Sequence, residues 1–232
     1  MHIIGIGGLK RSGKDTFARV VADVAREDGI AVAVIAFADA VRQAAAAAYG
    51  VDAAAFTDDA RKDTICKAWG ITYRQMLINL GEAMRGVDPD HWVKAWRRAA
   101  IRHNRTCEYG QVPLLVLVPD LRRVNEAQAI HKAGGLTVLM RRPGVEWNGH
   151  ETEVLAHLAQ HQDEVKTKAL GCLYTHSADT MSLSYKQDAQ CKQLYDNVVD
   201  NPVALGAQAT EDDAVTLRRL AVEVLIDATG RR

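Results

Sequence analysis

The sequence predicts an α/β fold in which helices flank a parallel five-stranded sheet, with a long helical segment inserted into it. Three observations point there. Short, continuously apolar, β-branched runs recur along the chain, as in strands buried on both faces. The first two runs are separated by a glycine-rich turn and an amphipathic helix, a strand–helix–strand unit that pairs in parallel. The gap between the second and third runs reads as helical almost throughout and is too long for a single crossover.

In order, the first strand is Ile3 to Ile6, stopping at Gly7-Gly8. From Lys14 to Asp28 the apolar residues Phe17, Val20, Val21, Val24 and Ala25 recur at helical spacing, and Gly29 ends that helix. Ala31 to Phe37 is the second strand. The helical insertion follows: an alanine run after Asp39, then Tyr73 to Arg85, then Asp90 to His103. The third strand is Leu114 to Val118. A helix from Val124 to Ala133, a turn at Gly134-Gly135 and a strand from Leu136 to Met140 come next. Arg141-Arg142-Pro143-Gly144 leaves the sheet. In the polar, His-rich stretch that follows, the best helix is Glu151 to Lys168. Tyr195 to Val199 is the fifth strand, and Asp212 to Ile226 is a closing helix capped by Thr210. The expected organisation is one domain: a core of 1–38, 112–142 and 194–232, a helical insertion at 39–111, and a lid at 143–193.

A chain of 232 residues, 48% hydrophobic, is ample for a buried core. Basic and acidic residues number 29 each, so no whole-chain field draws nucleic acid or an anionic membrane. Cys66, Cys107, Cys172 and Cys191 form no CxxC pair and read as reduced thiols. No apolar run approaches the ~20 residues of a membrane span. Met1 leads straight into a strand without a signal peptide, so a complete, cytoplasmic chain is expected.

The pattern G-x-x-x-x-G-K runs from Gly8 through Arg11 and Ser12 to Gly13-Lys14. It sits between a buried strand and an amphipathic helix, the setting of a phosphate loop (P-loop). Glycines let the backbone wrap a phosphate and turn several N–H groups inward. The helix behind adds its positive end. Lys14 reaches the β- and γ-phosphates of ATP as a mobile point charge. Where Ser or Thr usually binds magnesium the chain has Asp15, followed by Thr16. Asp15 holding the metal through water and Thr16 serving the phosphates are both open. Leu114 to Val118 runs into Pro119-Asp120, and an acid at such a strand end orients hydrated magnesium.

Phosphoryl transfer asks for in-line positioning and positive charge. Arg42, Arg74 and Arg85 lie in the helical insertion, where an acceptor phosphate would be held by their forked donors. Arg122 follows Asp120. Arg141 and Arg142 stand at the lid entrance, suited to neutralising the migrating group. Asp39 is placed to orient the acceptor's surroundings or accept from its sugar hydroxyl. Gln75 offers an amide to a base edge. Trp92 and Trp96, four apart on one helix face, suit a core more often than a base stack. His157 and His161 are also one turn apart, with His150 and Cys172 nearby, but no second ligand pair completes a metal site.

Several separated blocks resemble the deoxynucleoside monophosphate kinases of phage type. They are Gly8 to Thr16 with its GKDT ending, Phe37-Ala38-Asp39, and Tyr73-Arg74-Gln75 through Gly81-Glu82 and Arg85 to Asp88, Asp90 and Trp92-Val93-Lys94. To these add Asp120-Leu121-Arg122 with Asn125-Glu126-Ala127, and Arg141-Arg142-Pro143 with His150 and Glu153. The resemblance covers about residues 1–155 and a weaker tail. It implies a P-loop NTPase fold with a monophosphate-binding lobe and a lid. It implies transfer of the ATP γ-phosphoryl to a deoxynucleoside 5′-monophosphate with magnesium, small-molecule nucleotide substrates, a homodimer, and a host-cytoplasm location if phage-encoded. The chain departs from the family where Gly81-Glu82-Ala83 stands in place of Gly-Thr-Glu, and where Arg123-Val124 stands in place of Phe-Pro. Two other readings use the same loop: a kinase for dephospho-coenzyme A or phosphomevalonate, and a nucleotide-switch binding protein.

Overall fold

A computed structural model of the chain describes residues 1–58, 60–109, 112–147, 156, 195–203 and 207–230. The elements run β1 (His2–Gly8), α1 (Lys14–Glu27), β2 (Ala31–Val34), α2 (Phe37–Tyr49), a 3-10 turn (Ala53–Phe56), β3 (Ile65–Cys66) and β4 (Ile71–Thr72). They continue with α3 (Tyr73–Val87), α4 (His91–Tyr109), β5 (Leu114–Leu121), α5 (Val124–Lys132), β6 (Leu136–Arg141), β7 (Asn197–Asp200) and α6 (Glu211–Thr229).

Five strands form one parallel sheet in the order β2-β5-β1-β6-β7. Alternate residues of the central strands feed two cores. Ile4, Ile6, Leu115, Leu117, Val138 and Met140 face Phe17 and Val21 of α1 and Leu217, Ala221 and Leu225 of α6. Ile3, Val116, Val118 and Leu139 face the other way, toward Phe37, Trp96, Ala100, Ala127 and Ile130 of α2, α4 and α5. The result is helices on both faces of a parallel sheet, the α/β architecture expected. A third cluster of Ala45, Phe56, Cys66 and Met76 holds the helical insertion together. The chain winds to one side of β1 for β2 and β5 and to the other for β6 and β7. Ligands of open α/β sheets bind at such a reversal, beyond the C-terminal strand ends.

Three details differ from the expected elements. The second strand stops at Val34, and Phe37 already begins α2. Carboxylates decide this: Asp39 Oδ2 accepts the Ala36 N–H at 2.8 Å, and Asp120 accepts those of Phe37 and Ala38 at 2.9 Å each. They satisfy the donors a helix start leaves over. The insertion is not helical throughout either. Ile65 pairs with Thr72 and Cys66 with Ile71 in a small antiparallel hairpin whose turn has Gly70 at φ 68°. Two-residue strands leave no periodicity to read. Finally, Trp92 and Trp96 are both core residues. Their indole N–H groups donate to the carbonyls of Gly81 (3.0 Å) and Ile35 (3.1 Å). Trp92 is 4% exposed, so the core alternative holds for it and its candidate contact with an acceptor base does not: no face of the ring is open to stack on. The helix expected at Glu151 to Lys168, most of the lid, and His150, His157, His161, Cys172 and Cys191 lie outside the described residues. Among the described residues no helix is long and apolar enough to cross a membrane.

Trp96 packs its ring 4.9 Å from that of Phe37, joining α4 to the first turn of α2. Trp96→Ala is expected to cost about 3–5 kcal/mol, read by urea denaturation. A loss under about 1 kcal/mol would show that this contact does not hold the insertion to the sheet.

Candidate active site

The loop from Gly8 to Thr16 follows the C-terminal end of β1. Leu9, 1% exposed, pins it into the core. The Ser12 N–H donates to the Leu9 carbonyl at 3.1 Å, and the Phe17 N–H to that of Gly13 at 2.9 Å. Two glycines are needed for steric reasons. A Cβ on Gly8 (φ 145°) would fall 2.5 Å from the Met140 carbonyl oxygen, and one on Gly13 (φ 95°) would overlap the Asn201 amide. Gly13 is the N-cap of α1 and no side chain caps it, so the helix presents its positive end to whatever lies before it.

What lies before it is a hollow of about 260 Å³ lined by Arg11, Gly13, Lys14, Asp15, Thr16 and Arg142. That is below the ~300–1,000 Å³ of whole-ligand sites and suits phosphate groups. Lys14 Nζ donates to the carbonyls of Gly8 (2.8 Å) and Leu9 (2.7 Å), which lays its charge along the loop. Asp15 and Thr16 are both exposed at the rim. Ser12, expected to touch the phosphates, is fully buried, with its N–H given to the Leu9 carbonyl, which corrects that expectation.

The two arginines at the end of β6 are separated. Arg142 reaches the hollow, donating from Nε to the Val203 carbonyl (2.7 Å) and from Nη1 to that of Arg11 (3.2 Å). Arg141 instead binds Asp200, its register partner on β7, with Nε–Oδ1 at 2.8 Å and Nη2–Oδ2 at 3.0 Å. The shared role expected of the pair is thus corrected for Arg141. Successive residues leaving a strand point to opposite sides, and only one faces the loop.

The residues expected on the acceptor side are spread over the insertion. Arg42 pairs with Asp39 at 2.7 Å beside a second hollow of about 360 Å³, lined also by Val34, Ile35, Ala99 and His103. Arg74 pairs with Asp63, which raises the Arg74 pKa. Arg85 and Arg123 both bind Glu82 Oε1 at 2.7 Å, and burial pulls the Arg85 pKa down. Gln75 spends its amide N–H on Asn79. Arg122 begins the turn into α5 and contributes a charge beside Asp120.

Four groups were given no functional role from the sequence. Lys62 has its pKa lowered first by burial and then by the like charges of Arg74, Lys10 and Arg42, against Asp63. Lys10 belongs to the loop, while the arginines and Lys62 belong to the insertion. Lys10, Arg42 and Arg74 thus all act on Lys62, while Arg42 also pairs with Asp39 and Arg74 with Asp63. Asn201, just after β7, donates to the Ser12 carbonyl at 3.1 Å. Tyr195 is buried, its hydroxyl filling the space where a Cβ on Gly7 would go. Glu126 is buried and accepts the N–H groups of Arg122 (2.8 Å) and Arg123 (3.0 Å). Asn201-Pro202, a turn-forming pair after a strand, leaves a signal in the sequence, and Glu126 stands in the Asn125-Glu126-Ala127 block.

Burial lifts the Glu126 pKa to about 7, with the neighbouring Asp120 carboxylate raising it and the two N–H groups and Arg123 lowering it. Burial likewise holds the Asp120 carboxyl above its ordinary range. A carboxyl raised in the fold contributes stability that is full below its unfolded value of 4.5 and lost as pH rises through about 7. Glu126→Gln is expected to be near neutral at pH ~5 and to gain up to about 3 kcal/mol at pH ~8. Urea unfolding at the two pH values checks this; an equal effect at both would contradict it.

Among the described residues no group of three or more His, Cys, Asp and Glu is arranged to hold a metal. Compared with known proteins, the chain matches no family model and no curated sequence.

Proposed function

We propose that this chain is a P-loop kinase that transfers the γ-phosphoryl of ATP to a deoxynucleoside 5′-monophosphate, giving ADP and the diphosphate. The observation that carries the reading is the hollow before α1, where the uncapped start of that helix meets Arg11, Lys14 and Arg142 beyond the glycine-rich loop. A helix start and cations that face one hollow favour an anion in it. Further cations act on Lys62 from two sides, Lys10 from the loop and Arg42 and Arg74 from the insertion. A donor phosphate on the loop and an acceptor phosphate on the insertion would use both sets.

In this reading the hollow before α1 takes the ATP phosphates. Lys14 moves from the Gly8 and Leu9 carbonyls to the β- and γ-phosphates, and Arg142 covers the γ-phosphate from the β6 side. Arg42, Arg74 and Lys62 hold the acceptor phosphate so that one of its oxygens lies in line with the γ-phosphorus. That oxygen forms the new P–O bond as the bond to the β-bridging oxygen breaks, and ADP leaves. Magnesium keeps most of its ligands as water and phosphate oxygens, so Asp15 and Thr16 at the rim are enough to fit it. When bound, it neutralises charge on the phosphates. Asp120, whose oxygens hold the start of α2, acts on the acceptor side by fixing Asp39 and Arg42.

Competition binding tests the reading. With magnesium–ATP present, deoxynucleoside monophosphates are expected to bind at least about tenfold tighter than phosphorylated pantetheine or mevalonate compounds. The reverse order would assign the insertion to another acceptor.

A further inference from the structure

Asn201 connects the end of β7 to the glycine-rich loop. It is 6% exposed. Its backbone N–H donates to the Arg141 carbonyl at 2.8 Å, which fixes where the residue sits. Its side-chain Nδ2 donates to the Ser12 carbonyl at 3.1 Å, and its Oδ1 accepts the Val203 N–H at 3.0 Å. The Val203 carbonyl in turn accepts from Arg142 Nε, and Arg142 Nη1 donates to the Arg11 carbonyl. The bonds close a circuit: Ser12, Asn201, Val203, Arg142, Arg11 and back to Ser12 along the chain.

The Ser12 carbonyl belongs to the same peptide unit as the Gly13 N–H. In a trans peptide these two bonds point in opposite directions, and there are no cis peptides among the described residues. Holding the Ser12 oxygen on the Asn201 side therefore turns the Gly13 N–H away from Asn201. Gly13 lines the hollow before α1 and Asn201 does not. Gly13 also has a left-handed φ of 95°, a conformation the chain must be held in.

We propose that Asn201 is a positioning residue for the donor nucleotide, aiming the Gly13 N–H into the hollow and tying the place of Arg142 to that of the loop. The proposal rests on the donor half of the function proposed above. A nearby Asn could merely fill space, but a space-filler would not join the loop carbonyl, the Val203 amide and the Arg142 anchor in one circuit.

Two variants separate its bonds. Asn201→Asp keeps an acceptor for the Val203 N–H but has no donor for the Ser12 carbonyl. Asn201→Ala removes both without adding charge. In each, magnesium–ATP is expected to bind about tenfold more weakly by calorimetry, while the KM for the acceptor monophosphate stays within about twofold. A thermal midpoint that falls with ATP affinity unchanged would make the role structural and overturn the proposal, as would a parallel rise in both KM values. A third arm needs no substitution. In the intact protein labelled with 15N-asparagine, the Asn201 side-chain amide signal is expected to shift as ATP saturates; a signal that does not move overturns the proposal even if both variants fail to fold. ATP that does not bind the unsubstituted protein at all would instead refute the donor reading itself.

Discussion

Lys14→Met is expected to lower phosphoryl transfer about 10²–10³-fold, the usual cost of removing one preorganised donor from developing charge. Met keeps the length of the stem and removes only the charge. In the structure that charge lies along the loop, on the Gly8 and Leu9 carbonyls. It can leave those carbonyls to water at little cost, so the thermal midpoint is expected to fall by only about 2–4 °C. Lys14→Arg is expected to rescue poorly, because a planar fork does not replace a mobile ammonium in a hollow of about 260 Å³. Steady-state rates beside thermal melts read both effects. A variant that keeps more than about a tenth of the parental rate would remove Lys14 from the reaction.

The second large effect is expected at Asp120. Its two oxygens hold the Phe37 and Ala38 N–H groups, so Asp120→Ala leaves the start of α2 without its anchor. The expected loss is about 2–4 kcal/mol, from two charge-assisted bonds at a helix N-terminus. Because Asp39 and Arg42 occupy the first turns of α2, the acceptor KM is expected to rise about tenfold while the ATP KM changes little. Asp120→Asn, which keeps one acceptor oxygen, is expected to fall between. Urea unfolding and the two KM values decide. A rise confined to the KM for magnesium–ATP would return Asp120 to the metal-side role that its strand-end position suggested.

The sequence carried the strands well because parallel strands buried on both faces leave unbroken apolar runs. Ile3 to Ile6 and Leu114 to Val118 were legible for that reason. Thr210 was legible as a cap because its partner, Asp213, is only three residues away. What was not legible depends on partners far along the chain. The early end of β2 depends on Asp120, 83 residues beyond Phe37. The commitment of Arg141 depends on Asp200, and the importance of Asn201 on a carbonyl 189 residues before it. The hollow before α1 was readable as a local pattern, since Gly13, Lys14, Asp15 and Thr16 of its lining are neighbours in sequence. The gathering of Lys10, Arg42, Lys62 and Arg74 was not, because the hairpin that carries Lys62 toward Arg74 leaves no periodic signal.

The central claim is that loop and insertion are the two halves of one phosphoryl-transfer site. Its most direct measurement is a label-transfer panel. The protein is mixed with magnesium and ATP labelled in the γ-phosphate, and with each common deoxynucleoside 5′-monophosphate in turn. The account predicts label in the β-phosphate of the diphosphate for at least one of them, in amounts matching the ADP formed. Label recovered only as inorganic phosphate, or left in ATP across the whole panel, would contradict it.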